Sequence, residues 1–335
     1  MRALLATCIL CVTFHIMSAQ KIHTMREILQ IMDSSEYTYL IDNNEPVPVD
    51  YSQIVLTNDF YKKMDGNSMT ISRYEPNDSA IFYMELAESF YNQSDMDQAR
   101  DYYIKTLKSD STYYKAMSYL GDTYYHQRRF SEALEWYQKA IESNYYDYFA
   151  HWACANAYLY LGYPDKALKE ITIAKILNRN NPRLTPRLQE IYKLNKKNYA
   201  DWYFAPIYSV AEDYNKETDR LVVKIAYKDY WMSYAFAKAV WKFEPGYAEA
   251  MGNNFMLGEK EALSAYLQAT DIYKSAKKAI ATKVLYLAIE KHYVDAYVVY
   301  EAVLPSNPQM AMYLDKDGIE TIASYILDVR SQIKK

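Results

Sequence analysis

The sequence predicts an all-α solenoid in which antiparallel helix pairs stack on one another, with further helices toward the C-terminus. Three observations predict it. Apolar and small residues recur at a fixed spacing: Leu120, Gly121, Tyr124, Ala133, Tyr137 and Ala140 are matched 34 residues earlier by Leu86, Ala87, Phe90, Ala99, Tyr103 and Thr106, and 34 later by Cys154, Ala155, Tyr158, Ala167, Ile171 and Ala174. Within each period, small residues on the first helix (Ala87, Gly121, Ala155) stand opposite small residues on the second (Ala99, Ala133, Ala167), which lets two helix axes approach to ~8 Å. Large residues, Phe90, Tyr124 and Tyr158, remain to fill the space between neighbouring pairs. A period of this length marks a repeat architecture, in which a unit buries its apolar face only against its neighbours.

The elements are justified in chain order. Residues 1–19 read as an export signal: Arg2 is a short basic start, Ala3 to Phe14 is apolar but too short to span a bilayer, and Ser18-Ala19 precedes Gln20 at a cleavage point. The expectation is a periplasmic or extracellular protein, with lipidation of Cys8 and outer-membrane association as a rival reading. Removing the signal leaves Cys154 as the single thiol, so packing rather than disulfides must hold the chain together, and Cys154 reads as a small buried apolar residue. Residues 20–79 lie outside the 34-residue period. Met25, Ile28, Leu29 and Met32 have helical spacing, Tyr37 to Ile41 is β-prone, and Asn43 to Pro48 is turn-rich. They are expected to form an N-terminal segment capping the open end of the array. Residues 80–181 hold three repeats, 80–113, 114–147 and 148–181, with Asp95, Ser131 and Asp165 at or near second-helix starts and Gly162 in a turn.

Residues 182–199, with Leu184, Leu188, Ile191 and Tyr192 and then the basic run Lys193 to Lys197, read as a solvating helix that closes the array. Residues 200–335 form a C-terminal helical region. There Ala262, Tyr266 and Ala269, and then Ala296, Tyr300, Val303 and Pro308, repeat the second-helix pattern, while first helices are off-pattern. Degenerate repeats and a separate helical domain both stay open, and Asp317 to Ile333 reads as a closing amphipathic helix. No apolar run after the signal reaches the ~20 residues of a transmembrane helix.

Leu120-Gly121, Tyr124, Ala133 and Tyr137 together resemble the tetratricopeptide repeat, whose pattern is W-x2-L-G-x2-Y, then A-x3-F, then P. The closing Pro is replaced by Ser111, Tyr145 and Arg179. The resemblance implies a right-handed superhelix that offers a surface rather than a reaction, with positions 2, 5, 6, 9, 12 and 13 of the first helices facing a ligand. It thereby points to Met84, Glu88 and Tyr91 in the first repeat; Lys115, Tyr119, Asp122, Tyr125 and His126 in the second; and Phe149, Trp152, Asn156 and Tyr160 in the third. Aromatics dominate this set and supply large contact area with few rotors, which suits an extended peptide or a partner helix. The subfamily that grips chaperone C-terminal carboxylates uses Lys and Asn at positions 5 and 9 of its first repeat. Met84 and Glu88 stand there instead, so the resemblance does not extend to that ligand.

Charge and motifs narrow the function. A net charge of -4 gives no footprint for nucleic acid. Seven glycines, no two within five residues of each other, exclude a phosphate-cradling loop, while 38 tyrosines mark an aromatic-rich chain. His126 stands four residues after Asp122, the spacing of a metal pair or of a base with its orienting acid, yet a third ligand is missing nearby and an exposed polar pair is the expectation. Glu85 and Glu88 read as a solvated groove wall. His151, and His292 with Asp295, have no partner at motif spacing, and no GxSxG, HExxH, CxxC or EF-hand pattern occurs. The expected function is a non-enzymatic scaffold or adaptor for a protein or peptide partner, without cofactor or metal, its oligomeric state left open. Two alternatives stand beside it: a docking module fused to an enzyme in residues 200–335 that uses Asp213, Glu217 or His292, and a self-associating part of an envelope assembly.

Overall fold

The computed structural model describes residues 22–47, 50–51, 54–56, 60–65, 68–199, 202–216, 220–248, 255–270 and 274–333. The export signal expected at 1–19, and Glu217, lie outside them. The described chain forms two compact units, one within Ser52–Ala200 and Asn307–Lys335, the other within Phe14–Tyr51 and Asp201–Ser306. α1 (Met25–Asp33) and β1 (Thr38–Ile41) belong to the second. The first begins with a hairpin, β2 (Tyr61–Asp65) and β3 (Ser68–Ser72).

Six helices then form three antiparallel pairs in the predicted register: α2 (Asp78–Asn92) with α3 (Met96–Ser109), α4 (Tyr114–His126) with α5 (Phe130–Ser143), and α6 (Tyr148–Tyr160) with α7 (Pro164–Leu177). Each second helix also packs on the next first helix, so the pairs stack as a helical solenoid. Ala87, Ala99, Ala133, Ala155 and Ala167 are fully buried between paired helices. Asn77, Asp95 and Asp147 cap α2, α3 and α6 by accepting backbone N–H bonds from Ala80, Gln98 and Phe149. Ser131 and Asp165 lie inside the first turns of α5 and α7, whose cap positions Arg129 and Tyr163 make no side-chain cap bond.

Every first helix ends in the same turn. Ser94, Arg128 and Gly162 take left-handed φ values of 64°, 61° and 81°, and the next residue donates back across the turn, Asp95 to Phe90, Arg129 to Tyr124 and Tyr163 to Tyr158, at 2.9–3.0 Å. One period later α8 (Thr185–Leu194) ends likewise, with Lys196 at φ 54° and Lys197 donating to Tyr192 at 2.9 Å. The register thus runs on to a fourth first helix. After Lys197 the chain enters the second unit, and on returning it supplies the helix Lys316–Asp328, which packs on α7. Asn198 N–H donates to the Ser331 carbonyl at 3.2 Å and Lys197 Nζ to the Leu327 carbonyl at 2.9 Å.

The segment expected to cover the open end of the array does something else. Residues 54–56, 60–65 and 68–74 run along the C-terminal ends of the second helices. Tyr74 O–H donates to Asp110 (2.7 Å), Asn144 Nδ2 to the Phe60 carbonyl (3.0 Å), Asn178 Nδ2 to the Leu56 carbonyl (3.2 Å) and Asn180 Nδ2 to the Ile54 carbonyl (2.7 Å). Asp110, Asn144 and Asn178 occupy one position in three successive repeats, immediately before the site where the repeat pattern carries Pro. A polar side chain here holds the strap.

The second unit is not purely helical. β5 (Arg220–Tyr227) is the centre of a three-stranded sheet, antiparallel to β4 (Tyr208–Asn215) and parallel to β1, so the β-prone Tyr37–Ile41 finds its partner almost two hundred residues away. α9 (Met232–Phe243), buried on nearly all sides, packs on β5, on α1 and on the helix Phe255–Thr270, which turns Ala262, Tyr266 and Ala269 inward.

Candidate functional site

The first helices α2, α4 and α6 bring most of the sequence-derived residues to one face, because positions 34 apart fall on equivalent turns. Aromatic rings run along it. Tyr119 meets Phe149 at 5.9 Å between centroids and Phe149 meets Trp152 at 6.1 Å, while the buried Tyr103 of α3 backs Tyr119 at 6.1 Å. Toward the helix ends Tyr125 stands 5.7 Å from Tyr160, whose ring stacks on Phe130 at 4.6 Å, and Tyr91 meets His126 edge-on at 5.6 Å. Tyr160 is 56% exposed, while Tyr91, Tyr119, Tyr125, Phe149 and Trp152 are half-buried. Lys115 is half-buried and Glu88 and His126 are exposed.

Met84 departs from this surface. At 6% exposure it belongs to the core with Ala87, Ala99, Tyr103, Ala116 and Leu120. Its long apolar side chain turns into the gap between the first and second pairs, where burial gains more than contact with solvent. Two further groups belong to the site and were not read from the sequence: Phe130, which opens a second helix, and Tyr137, which approaches from behind.

Tyr137 explains the polar floor. Its ring lies against Gly121, where a Cβ would meet Cε1 at 2.6 Å, and its O–H donates to Asp122 Oδ1 at 2.6 Å. Burial pushes the Asp122 carboxyl up to about 7, against the lowering effect of that bond. Glu88, though exposed, is also raised by partial desolvation, with Lys115 opposing and Glu85 adding. Position 9 is thus Glu88, Asp122 and Asn156 in successive repeats, behind which position 24 is Tyr103, Tyr137 and Ile171. Ile171 has no hydroxyl to donate, and Asn156 Oδ1 is buried with no hydrogen-bond partner; Trp152 Nε1, one turn away, is in the same condition. No hydrogen bond joins Asp122 to His126. Among the described residues no group of three or more His, Cys, Asp and Glu could hold a metal.

The remaining titratable candidates serve structure. His151 is buried, its Nε2 donating to the Tyr145 carbonyl at 2.9 Å and its Nδ1 standing 2.6 Å from Glu170; this partner lies 19 residues away, beyond any motif spacing. Cys154 is a buried free thiol whose pKa burial raises. In the second unit Asp213 pairs with Lys224 at 2.5 Å across β4 and β5, His292 occupies a left-handed turn at φ 62°, and Glu259 holds Lys238 at 2.9 Å and accepts from Tyr234. No helix among the described residues is long and apolar enough to cross a membrane.

Residues 84–147 match the family model described as tetratricopeptide repeat. Solved structures similar to the chain include the first TPR of Spaghetti (RPAP3) bound to the HSP90 peptide SRMEEVD, 21% identical with a TM-score of 0.34 over 35% of this chain and 94% of that one. The Arabidopsis OM64 TPR domain is 14% identical, with a TM-score of 0.34 over 36% and 98%. YrrB, a TPR protein with an unusual peptide-binding site, is 18% identical, with a TM-score of 0.33 over 58% and 87%. No curated protein matches the chain. Arrays of this kind are scaffolds for protein–protein interaction and are generally not enzymes.

Proposed function

Because the chain is a tetratricopeptide-repeat protein, we propose that it is an adaptor that captures an extended segment of a partner protein on the face formed by α2, α4 and α6, outside the cytoplasm. The observation that carries this reading is the row of accessible aromatic rings on the first-helix face, with Tyr119, Tyr125, Phe149 and Trp152 half-buried and Tyr160 exposed. Rings of this kind supply large contact area with few rotors and a polar edge, which suits an extended segment laid along the face. The export part rests on residues 1–19 alone.

The test is the Trp152→Ala, Tyr119→Ala double variant, used as bait against the fraction that the native protein retrieves from cell envelopes. Loss of the retrieved protein with unchanged helical circular dichroism is the expected result. Retrieval equal to the native protein's refutes the face assignment. A fusion of residues 1–19 to a periplasm-dependent reporter should be active; a reporter that stays inactive overturns the export reading.

A further inference from the structure

The three residues at position 9, Glu88, Asp122 and Asn156, stand on neighbouring first helices and form a short row. The polar atoms it offers to a ligand are the carboxylates of Glu88 and Asp122, beside which Asn156 Oδ1 is a buried acceptor, so it is a row of acceptors. Lys115 balances Glu88 electrostatically. Asp122 has no such neighbour: its one hydrogen-bond partner among the described residues is the neutral Tyr137 hydroxyl, and it pairs with no Lys, Arg or His. Its charge is felt by Tyr91 from α2, Tyr103 from α3, Tyr137 from α5 and Tyr125 on its own helix, all phenols. The other charged or titratable groups at the site are His126, one turn along α4 against Tyr91 and Tyr125 with no hydrogen bond to Asp122, and Arg187 of α8, whose charge reaches Tyr125. A desolvated carboxylate without a counter-ion is unfavourable, and a ligand cation removes that cost.

We propose that Asp122 receives the guanidinium of an arginine in the captured segment, with the flanking tyrosine rings against the guanidinium plane and Glu88 and Asn156 extending the row of acceptors. Arginine fits better than the other cations. Its planar fork carries five N–H donors, it is less strongly hydrated than an ammonium, and it stacks on aromatic faces. A hard metal ion requires several oxygen ligands converging on one point, and among the described residues no group of three or more His, Cys, Asp and Glu does so. Tyr91 and Tyr125 are half-buried phenols, and a phenol ring presents an electron-rich face to a cation.

This proposal rests on the reading of the first-helix face as the capture surface, and the experiment separates the two. The probes are end-capped fluorescent dodecapeptides carrying three arginines, and the same peptides with citrulline, which has the shape of arginine without its charge. Binding is followed by anisotropy at pH 8 and at pH 6. The arginine peptide should bind at least tenfold more tightly than the citrulline peptide at pH 8, the preference should shrink at pH 6 where Asp122 takes up a proton, and Asp122→Asn should abolish it. Asn keeps the acceptor for Tyr137, so that variant retains the local fold; Tyr125→Ala, which removes a ring and no charge, should weaken both peptides. Equal binding of the two peptides, no binding of the arginine peptide below millimolar concentration, or a preference that survives Asp122→Asn overturns the arginine site. If that happens while the Trp152→Ala, Tyr119→Ala variant still loses its natural partner, the capture face stands. If the double variant also keeps its partner, both fall.

Discussion

Replacing Gly121 by Ala adds a single methyl group at the junction between fold and site. The new Cβ would stand 2.6 Å from Tyr137 Cε1, 2.8 Å from its Cδ1 and 3.2 Å from the Ala133 carbonyl oxygen. The first two separations are shorter than any real carbon contact, so the Tyr137 ring must move. It has little room, being 1% exposed and fixed at its far end by the 2.6 Å bond to Asp122. Overpacking a core of this kind costs about 1–3 kcal/mol, and loss of the hydroxyl bond adds about 1 kcal/mol, giving about 2–4 kcal/mol in all. Urea unfolding followed by far-ultraviolet circular dichroism measures it as a lower midpoint at unchanged slope. In a Tyr137→Leu background the ring is gone, and the same Gly121→Ala change should cost less than about 1 kcal/mol. A cost below about 0.5 kcal/mol in the native background would refute the close approach of α4 and α5, and with it the account of how Asp122 is held.

Two further predictions concern the turn and the carboxylate. Gly162→Ala meets no atom within 4 Å, so its effect is backbone alone: at φ 81° a Cβ should lower stability by about 1 kcal/mol, whereas Arg128→Gly at the equivalent turn should not lower it, and a melting curve of each variant decides. Burial raises the Asp122 carboxyl in the folded chain above its ordinary value, to about 7, so the folded state holds a proton that the unfolded state has lost, and ionising Asp122 destabilises the fold as pH rises from about 4 through 7. Asp122→Asn removes that loss: it should be at least about 1 kcal/mol more stable than the native protein at pH 8 and indistinguishable from it at pH 4. Equal urea midpoints at pH 8 would contradict the raised carboxyl of the half-buried Asp122.

The repeats were legible in the sequence because their determinants are local and periodic. Ala87, Gly121 and Ala155, with Ala99, Ala133 and Ala167, are small where helix axes must meet, and the spacing of 34 carries them onto equivalent turns whatever the rest of the chain does. Tyr119, Trp152 and Asn156 could be placed on the first-helix face for the same reason. Met84 could not be sorted from them, since periodicity fixes the angle of a side chain around its helix and leaves open whether a neighbour covers it. Nor could Phe130, which joins the site by packing edge-on against Tyr125 and stacking on Tyr160.

The sequence by itself therefore determined the helix pairs, their register and the face they share, because these depend on backbone periodicity and side-chain volume within a few turns. Tertiary structure alone decided the rest: that the segment through Ile54, Phe60 and Tyr74 is a strap along Asp110, Asn144 and Asn178, that β1 pairs with β5, and that the fourth first helix, α8, is succeeded by a departure of the chain and its return as the helix Lys316–Asp328. It also decided that Asp122 sits on a buried tyrosine with no cation beside it. Hydrogen bonds and desolvation depend on which groups meet across long stretches of chain, and no local pattern encodes that meeting.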